Sequence, residues 1–349
     1  MKPTKVGFEE SIAKAVVEVG KCVGCGACVL VCPFNCLEYI GEKPNLVKKC
    51  EVCGICAQAC PQYYFSRSDI ENLTFGRVRK NSETFGVYKR LVLARATDNR
   101  VLEVCQDGGA VTAILLFALK NKLIEGAVVA KSIEGKPFSP VPTFATTVKE
   151  ILQSAGTKYF YSPNLLALAK AIEQNKSCIA FVGTPCQIRA IRKMQLAGLE
   201  KYVTPLKLLV GLMCSECFIH EGLMEKHIHG KLGIDPNRIR KIKIKGKMML
   251  AKLDAETVAI PLADAKKYAR KNCCSCQDFS SEFADISAGG LGLENWTFII
   301  IRTEKGEEIF SSAEKAGAII TKGVSMEPNT LNLLIRLSRK KQAAAKRSL

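Results

Sequence analysis

Two copies of one cysteine pattern lie within the first 61 residues. Each copy reads C-x-x-C-x-x-C-x-x-x-C-P; the first comprises Cys22, Cys25, Cys28 and Cys32, and the second comprises Cys50, Cys53, Cys56 and Cys60. This spacing is typical of chains that hold two [4Fe-4S] clusters, in which the fourth cysteine of each copy binds the cluster of the other. The sequence therefore predicts one cluster on Cys22, Cys25, Cys28 and Cys60, and a second on Cys50, Cys53, Cys56 and Cys32.

Three other uses of these cysteines are disfavoured. Structural zinc sites also use C-x-x-C pairs, but zinc needs only four ligands and rarely takes three cysteines at steps of three followed by Cys-Pro. We expect no disulfide framework, because no secretory signal precedes the cysteines. No C-x-x-C-H string for haem attachment is present. Electron transfer is the predicted chemistry.

A second group of six cysteines lies in the strings GTPCQI, GLMCSECF and NCCSCQDF. Thiolates in this number are soft ligands that suit another iron-sulfur cluster. We predict a third [4Fe-4S] cluster on Cys186, Cys214, Cys273 and Cys276, with Cys217 and Cys274 as alternative ligands. Cys36, Cys105 and Cys178 are given no role.

The cysteine repeat and the apolar segments suggest how the chain is organised. Residues 1–65 form the two-cluster unit, 66–86 a connector, 87–325 a larger domain and 326–349 a basic tail. In the larger domain strand-like and helix-like segments alternate, at 91–96, 111–120, 126–130, 165–173, 178–182 and 188–194. The predicted fold class is therefore mixed α/β or α+β, with a small two-cluster domain in front of a larger mixed α/β domain.

Composition limits the class of protein. Hydrophobic residues make up 48% and charged residues 24% of the 349 residues, as in ordinary globular proteins. No apolar stretch approaches the roughly 18–20 residues that span a bilayer. The 51 basic and 33 acidic residues give a formal charge of +18, which two or three bound clusters would lower to about +14 or +12. Such a field favours anionic substrates or acidic partners.

Three turns in the larger domain put small residues where a helix begins: Asp107-Gly108-Gly109, Ser162-Pro163 and Gly183-Thr184-Pro185. Free backbone N–H groups and the helix dipole favour a phosphate group at such positions, although ordinary capping and turn chemistry would use the same residues. Neither a G-x-G-x-x-G dinucleotide motif nor a P-loop is present.

Four strings carry a resemblance to a known family: QDGGAVTAIL (106–115), SAGTKYFYSP (154–163), FVGTPCQIRAI (181–191) and YARKNCCSCQDFSSEFADISAGGLG (268–292). They resemble the family of beta subunits of coenzyme F420 hydrogenases and dehydrogenases. A two-cluster ferredoxin domain in front of so short a chain is similar, within that family, to the electron-input subunit of the membrane-associated F420H2 dehydrogenase of methanogenic archaea. The additional Cys274 departs from the family pattern.

The resemblance implies FAD, a nearby [4Fe-4S] cluster and coenzyme F420 as substrate. F420H2 gives up two electrons as hydride whereas each cluster accepts one, so a flavin is also needed chemically. The predicted route runs from F420H2 to FAD, then to the third cluster, the two N-terminal clusters and a partner. Predicted flavin contacts are Gly108, Gly109, Thr112, Thr157, Lys158, Tyr159, Gly183, Thr184 and Gln187, while Lys243 and Lys245 would attract the anionic side chain of F420. No catalytic acid or base is assigned.

Three functions remain possible, which differ in the electron acceptor or in the need for an organic cofactor. The chain would act at the cytoplasmic face of the membrane through other subunits of an F420H2 dehydrogenase complex, without a transmembrane segment of its own. Alternatively it is a soluble F420H2:ferredoxin oxidoreductase, or an electron-relay subunit without an organic cofactor. A nucleic-acid partner is disfavoured, because only 7% of residues are aromatic and none is interleaved with the basic runs.

Overall fold

The N-terminal domain is built around the two cysteine motifs, in a computed structural model that describes residues 5–347. A π-helical segment at Glu9–Glu18 precedes helix α1 (Ala27–Leu30), the antiparallel hairpin of β1 (Leu37–Ile40) and β2 (Lys43–Leu46), and helix α2 (Ile55–Ala59). Each short helix follows a left-handed glycine, Gly26 (φ 80°) or Gly54 (φ 74°). Glycine adopts this conformation without a steric penalty, so each cysteine loop can turn directly into a helix.

The larger domain contains an eight-stranded mixed sheet with strand order β13-β3-β12-β11-β7-β6-β4-β5. Strands β4, β6, β7 and β11 run parallel to one another, and the remaining pairs are antiparallel. The strands are β3 (Arg90–Ala96), β4 (Gly126–Ile133), β5 (Lys136–Ala145), β6 (Ile179–Gly183), β7 (Leu206–Leu212), β11 (Ile286–Gly289), β12 (Thr297–Ile301) and β13 (Ile319–Gly323). The mixed α/β fold class is thereby confirmed.

Helices cover the sheet and link its strands. They are α3 (Arg67–Phe75), α4 (Asn99–Val104), α5 (Ala110–Lys120), α6 (Val148–Gln153), α7 (Leu165–Glu173), α8 (Pro185–Leu196), α9 (Glu200–Val203), α10 (Leu262–Lys266), α11 (Glu304–Lys315) and α12 (Pro328–Arg347). Shorter 3₁₀ turns lie at Pro236–Arg238, Lys271–Ser275 and Val324–Met326, and a second π-helical segment at Glu221–His229. Within residues 5–347, no helix is both long and apolar enough to cross a membrane.

The N-terminal domain packs on one face of the large sheet. Alternate residues of a strand point to opposite faces, so Ala127 and Val129 of β4 join a core with α5 and α11, whereas Val128 joins a core with α7 and α8. Val23 and Ala59 of the N-terminal domain belong to this second core. The cysteine motifs therefore lie on the same side of the sheet as α8.

Two basic segments adopt defined structure. The basic segment that contains Lys243 and Lys245 forms strand β8 (Lys241–Lys245), which pairs with β9 (Met248–Lys252) in a separate three-stranded sheet completed by β10 (Thr257–Pro261). The segment from residue 326, predicted as a tail, instead contains the 20-residue helix α12, in which Leu334 and Ser338 are buried. Its apolar face has a partner in the larger domain, around Phe85 and Phe298.

Candidate functional site

Each predicted N-terminal quartet of cysteines surrounds a cavity of its own. One cavity is lined by Cys22, Cys25, Cys28 and Cys60, and the other by Cys32, Cys50, Cys53 and Cys56. Each has an empty volume of about 320 Å³, part of it open to solvent. The fourth cysteine of each motif thus lies with the three cysteines of the other motif. This exchange is the geometry that a pair of [4Fe-4S] clusters requires.

Backbone N–H groups point at the sulfur atoms of these cavities. The amide of Gly24 donates to Cys22 Sγ at 3.4 Å, that of Phe8 donates to Cys50 Sγ at 3.4 Å, and that of Cys36 donates to Cys32 Sγ at 3.3 Å. Hydrogen bonds to cluster sulfurs are one means by which a protein sets a cluster's potential. The loops therefore present donors where thiolate ligands would carry negative charge.

Burial of so many thiols has an electrostatic cost that bound iron would offset. Desolvation raises the pKa of Cys25 and of Cys28 well above its ordinary value and raises the pKa of Cys56 to about 12. Neighbouring thiols raise these pKa values further. A cation inverts this balance, because a coordinating thiol is deprotonated outright. The apolar, thiol-lined cavities thus fit a cationic inorganic group.

Five cysteines of the larger domain come together at a third site. Electrostatic interactions connect their thiols; they are Cys186 on α8, Cys214 and Cys217 after β7, and Cys273 and Cys276 at the Lys271–Ser275 turn. The Cys217 thiol donates a hydrogen bond to Cys214, which lowers the pKa of Cys214 and raises that of Cys217. Cys274 is exposed instead, and its thiol donates to the Lys271 carbonyl at 2.7 Å. The site therefore holds the predicted quartet together with Cys217, without Cys274.

The arrangement of the cysteines does not form a site for a single bare metal ion. In the described part of the chain, no three His, Cys, Asp or Glu side chains converge as ligands of a single metal ion. A cubane spreads its four ligands over four separate iron corners, so this arrangement does not conflict with a cluster.

The third site adjoins the first N-terminal quartet. Cys186 and Cys25 are close enough to interact electrostatically, and Tyr161 lies beside both. The Arg270 guanidinium stacks on Tyr161 at 4.0 Å and donates to the Val23 carbonyl at 3.0 Å. These contacts join the two domains where two cysteine groups meet.

A second interdomain contact involves Lys193 of α8. Its buried ammonium donates to the carbonyls of Ala57 at 2.9 Å and Cys60 at 2.7 Å, near the carboxyl end of α2. Burial lowers the pKa of Lys193 to about 8, while the nearby Cys60 opposes that shift. A cation at a helix carboxyl terminus satisfies carbonyls that have no partner within the helix.

The loops predicted to contact a flavin converge with strand β8. Gln106 bridges them: its Nε2 donates to the Ile242 carbonyl at 2.9 Å, and its Oε1 accepts from the Thr157 amide at 3.4 Å. The Tyr159 hydroxyl lies 3.5 Å from Gln106 Nε2, and burial raises the pKa of Tyr159 to about 12. Sequence analysis did not single out Gln106, although it stands beside the Asp107-Gly108-Gly109 turn.

Two residues predicted to contact the flavin instead form hydrogen bonds within the protein. The Lys158 ammonium is buried and donates to the carbonyls of Ser154 at 2.5 Å and Ala155 at 2.8 Å. Gln187 is fully buried; its Nε2 donates to the Ser162 carbonyl at 2.5 Å and its Oε1 accepts from the Thr184 amide. Both side chains therefore hold loops in place.

The other predicted contacts lie at tightly packed turns. A Cβ on Gly108 would come within 2.6 Å of the Ala94 carbonyl oxygen, so glycine is required there for close approach to β3. Gly109 (φ 72°) begins α5, and Thr112 is buried on its first turn. Thr184 caps α8, and its hydroxyl lies 3.2 Å from Cys186 Sγ. Gly183 packs against Gln187. Capping and close packing thus account for much of this sequence pattern.

The lysines of β8 face acidic groups of the larger domain. Lys241 donates to the Cys105 carbonyl at 2.7 Å. Burial raises the pKa of Asp107, while Lys243 and Lys241 act to lower it. Lys245 forms an exposed ion pair with Glu294 at 3.0 Å. Lys243 is thus close to the Asp107-Gly108-Gly109 turn, whereas Lys245 is exposed and already has a carboxylate partner.

Three basic residues at these sites were missed from sequence: Lys193, Arg270 and Lys341. The Lys341 ammonium, from α12, donates to the Cys214 carbonyl at 2.5 Å. Each lies in a basic or polar stretch that reads as surface, and its contacts are more than 100 residues distant in sequence. No local periodicity marks such residues.

Comparison with known families gives three matched segments. Residues 91–169 and 177–327 match the N-terminal and C-terminal parts of the family described as coenzyme F420 hydrogenase/dehydrogenase, beta subunit. Residues 15–38 match a 4Fe-4S binding domain. Together the first two segments cover most of the larger domain.

Individual relatives agree with these matches. The chain is 38% identical over 270 residues to the beta subunit of the coenzyme F420 hydrogenase of Methanothermobacter thermautotrophicus, covering 76% of this chain and 95% of that one. It is 32% identical over 303 residues to a subunit of the F420H2 dehydrogenase of Methanosarcina mazei, covering 84% and 83%. A chain of the F420-reducing [NiFe] hydrogenase complex from Methanosarcina barkeri superposes with a TM-score of 0.73 at 29% identity, covering 77% and 94%.

Proposed function

The chain belongs to the family of coenzyme F420 hydrogenase/dehydrogenase beta subunits and is an oxidoreductase, and from this premise we propose that it oxidises F420H2 by hydride transfer to FAD and passes single electrons through [4Fe-4S] clusters to a partner. It would act as the electron-input subunit of an F420H2 dehydrogenase complex. The relative from Methanosarcina mazei, named as a component of such an enzyme, supports this assignment.

One observation carries the proposal: Arg270 joins the third cysteine group to the first quartet, because its amide donates to the Cys217 carbonyl at 2.9 Å and its guanidinium donates to the Val23 carbonyl at 3.0 Å. Cys186 directly follows the predicted flavin-binding turn Gly183-Thr184-Pro185, so the third group would stand between the cofactor and the N-terminal domain. Cys28 of α1 lines one N-terminal cavity and Cys56 of α2 lines the other, and these two short helices pack against each other. Three adjoining cysteine groups suit a relay of single electrons.

FAD, when bound, would supply the conversion between a two-electron hydride donor and one-electron carriers. Thr157 and Tyr159, arranged around Gln106, would contact its ring system or ribityl chain, and the amino end of α5 at Gly109 would face its diphosphate. Lys158 and Gln187 would act through the loops they support. Lys243 would favour the anionic side chain of F420 through its positive charge.

The experiment is anaerobic purification followed by measurement of iron, sulfide and FAD, with an assay of F420H2 oxidation by a viologen dye. We expect three [4Fe-4S] clusters and one FAD per chain, with F420H2-dependent dye reduction. A protein with three clusters but no flavin and no F420H2 oxidation would refute the proposal.

A second candidate function is an electron-relay subunit without an organic cofactor. It is favoured by the hydrogen bonds that Lys158 and Gln187 make within the protein and by the close packing of Gly108. These contacts explain part of the sequence pattern without a bound flavin. The same flavin measurement separates the two functions. The electron acceptor would be either a membrane complex or a soluble ferredoxin. Co-purification of integral membrane subunits with the chain would indicate the membrane complex.

A further inference from the structure

Helix α12 brings one lysine into the third cysteine site. Lys341 donates to the Cys214 carbonyl at 2.5 Å, and its ammonium interacts electrostatically with Cys276, Cys214 and Cys273. The matched family segments end at residue 327, so α12 lies beyond them. The family assignment therefore says nothing about this residue.

The placement of Lys341 is specific to that residue of the helix. The preceding Lys340 and Arg339 are exposed, whereas Lys341 turns towards the Lys271–Ser275 turn, on which α12 packs. The next residue, Gln342, donates to the Thr84 carbonyl at 2.9 Å and anchors the helix on the other side. The orientation of Lys341 is thus determined by packing on both flanks.

The Lys341 ammonium carries one positive charge and is held beside the third cysteine group by its hydrogen bond to the Cys214 carbonyl. The Asp278 carboxylate also interacts electrostatically with it. A fixed positive charge in a poorly solvated site interacts strongly with any negative charge that develops beside it. A [4Fe-4S] cluster gains one negative charge on reduction, and local charge is one of the factors that set its potential.

We propose that Lys341 is a positioning residue of the third cluster that raises the cluster's reduction potential by holding a positive charge against its cysteine ligands. The inference rests on the third cluster of the proposed function. Reduction adds one electron to the oxidised site without breaking a bond or requiring a proton, and the lysine charge stabilises the added electron. The C-terminal helix would thereby tune how readily the relay accepts electrons.

The test is an EPR-monitored redox titration of the full-length protein under anaerobic conditions, with the third cluster identified as the signal missing from Cys186→Ser. We expect Lys341→Gln to lower the equilibrium constant for one-electron reduction at least tenfold, which is about 59 mV towards more negative potential. Lys341→Arg keeps the charge and should titrate near the wild-type potential. Lys340→Gln is the matched control on the exposed face and should cause no shift.

Each outcome decides the matter. An unshifted potential in Lys341→Gln, or an equal shift in Lys341→Arg, would overturn the inference. Lys341→Gln could lose the iron of the third cluster while Lys341→Arg retains it. Because glutamine keeps a hydrogen-bond donor, that result would show that the cluster requires the positive charge. Loss of the iron from both variants would instead indicate a purely structural role and overturn the inference. Absence of the third cluster from wild-type protein would overturn the proposed function itself, which separates that failure from the failure of this inference alone.

Discussion

Gly24 and Val52 occupy equivalent positions of the two cysteine motifs, and both have a left-handed backbone, with φ of 65° and 52°. At Gly24 a Cβ would lie 2.6 Å from the Glu42 carbonyl oxygen and 2.8 Å from Arg270 Nη2. Val52, by contrast, is 45% exposed. A β-branched residue in this conformation is a genuine outlier, so the second motif carries strain that the first avoids.

Replacing Val52 with glycine is expected to be neutral or mildly stabilising. Relief of the left-handed conformation is worth about 1–2 kcal/mol, and the greater chain entropy of glycine offsets about 0.5–1 kcal/mol of it. Anaerobic thermal unfolding with iron analysis measures the effect. Gly24→Val is the matched contrast: we expect it to destabilise the domain strongly, and a Val52→Gly variant that melts earlier than wild type would contradict this account.

Lys193→Met should weaken the attachment of the N-terminal domain. The variant keeps the apolar stem of the lysine but leaves the carbonyls of Ala57 and Cys60 without their charged donor. Hydrogen bonds to charged groups are worth about 1.5–3 kcal/mol, so we expect a loss of that size in unfolding free energy and faster proteolysis in the 66–86 connector. The exposed Lys201→Met serves as control. Identical behaviour of the two variants would show that the contact contributes nothing.

Iron counting on single cysteine-to-serine variants tests the three cysteine groups. Cys60→Ser should remove the cluster held with Cys22, and Cys32→Ser the cluster held with Cys50, because each fourth ligand comes from the other motif. Cys274→Ser should retain full iron content, since its thiol is exposed and directed at the Lys271 carbonyl. Loss of a cluster from Cys274→Ser would show that the third site has a different ligand set. Comparison of Cys217→Ser with Cys276→Ser identifies the fifth, non-ligating thiol.

Charge reversal on strand β8 should weaken F420 binding. Lys243→Glu with Lys245→Glu places two negative charges beside Asp107 and the candidate cofactor loops, so we expect the KM for F420H2 to rise several-fold at low salt. Added salt should reduce the difference, because exposed charges are screened at about 10 Å in 0.1 M salt. Lys231→Glu, an exposed lysine outside β8, is the control. An unchanged KM would remove β8 from the substrate site.

The pH dependence of stability in the alkaline range should reflect the titration of the buried Lys158. Burial lowers the pKa of Lys158 to about 8 from 10.5, so between these values the unfolded chain binds more protons than the folded one and the stability contribution of this residue increases with pH. That contribution is complete above pH 10.5 and is lost as the pH falls through 8. Unfolding of wild type and Lys158→Met across this window should give diverging curves, with wild type gaining stability relative to the variant. Parallel curves would mean that the hydrogen bonds to the carbonyls of Ser154, Ala155 and Gly156 hold the ammonium charged throughout.

The cysteine motifs show how far local pattern reaches. The C-x-x-C-x-x-C-x-x-x-C-P spacing is a short-range rule, because three ligands come from one tight loop, and it sufficed to predict the eight cysteines that line the two N-terminal cavities. Alternation of apolar segments likewise predicted the α/β class, because a sheet whose strands alternate with helices buries its apolar faces against those helices. The family resemblance, carried by four strings in the right order, was confirmed by the matches over residues 91–169 and 177–327.

The third site and its basic neighbours depend on tertiary structure. Cys186, Cys217 and Cys273 lie in segments far apart in sequence, and only the path of the chain around the sheet decides that Cys217 is buried while Cys274 is exposed. A run such as RKKQAAAK looks like a solvated tail, and nothing in it distinguishes Lys341 from Lys340. Packing of α12 on the Lys271–Ser275 turn makes that distinction, because a helix exposes one face and buries the other only when a partner surface is present. The ligand motifs could be recognised from residues close together in sequence. The charges that surround these motifs come from residues more than 100 positions away, so only the tertiary structure places them there.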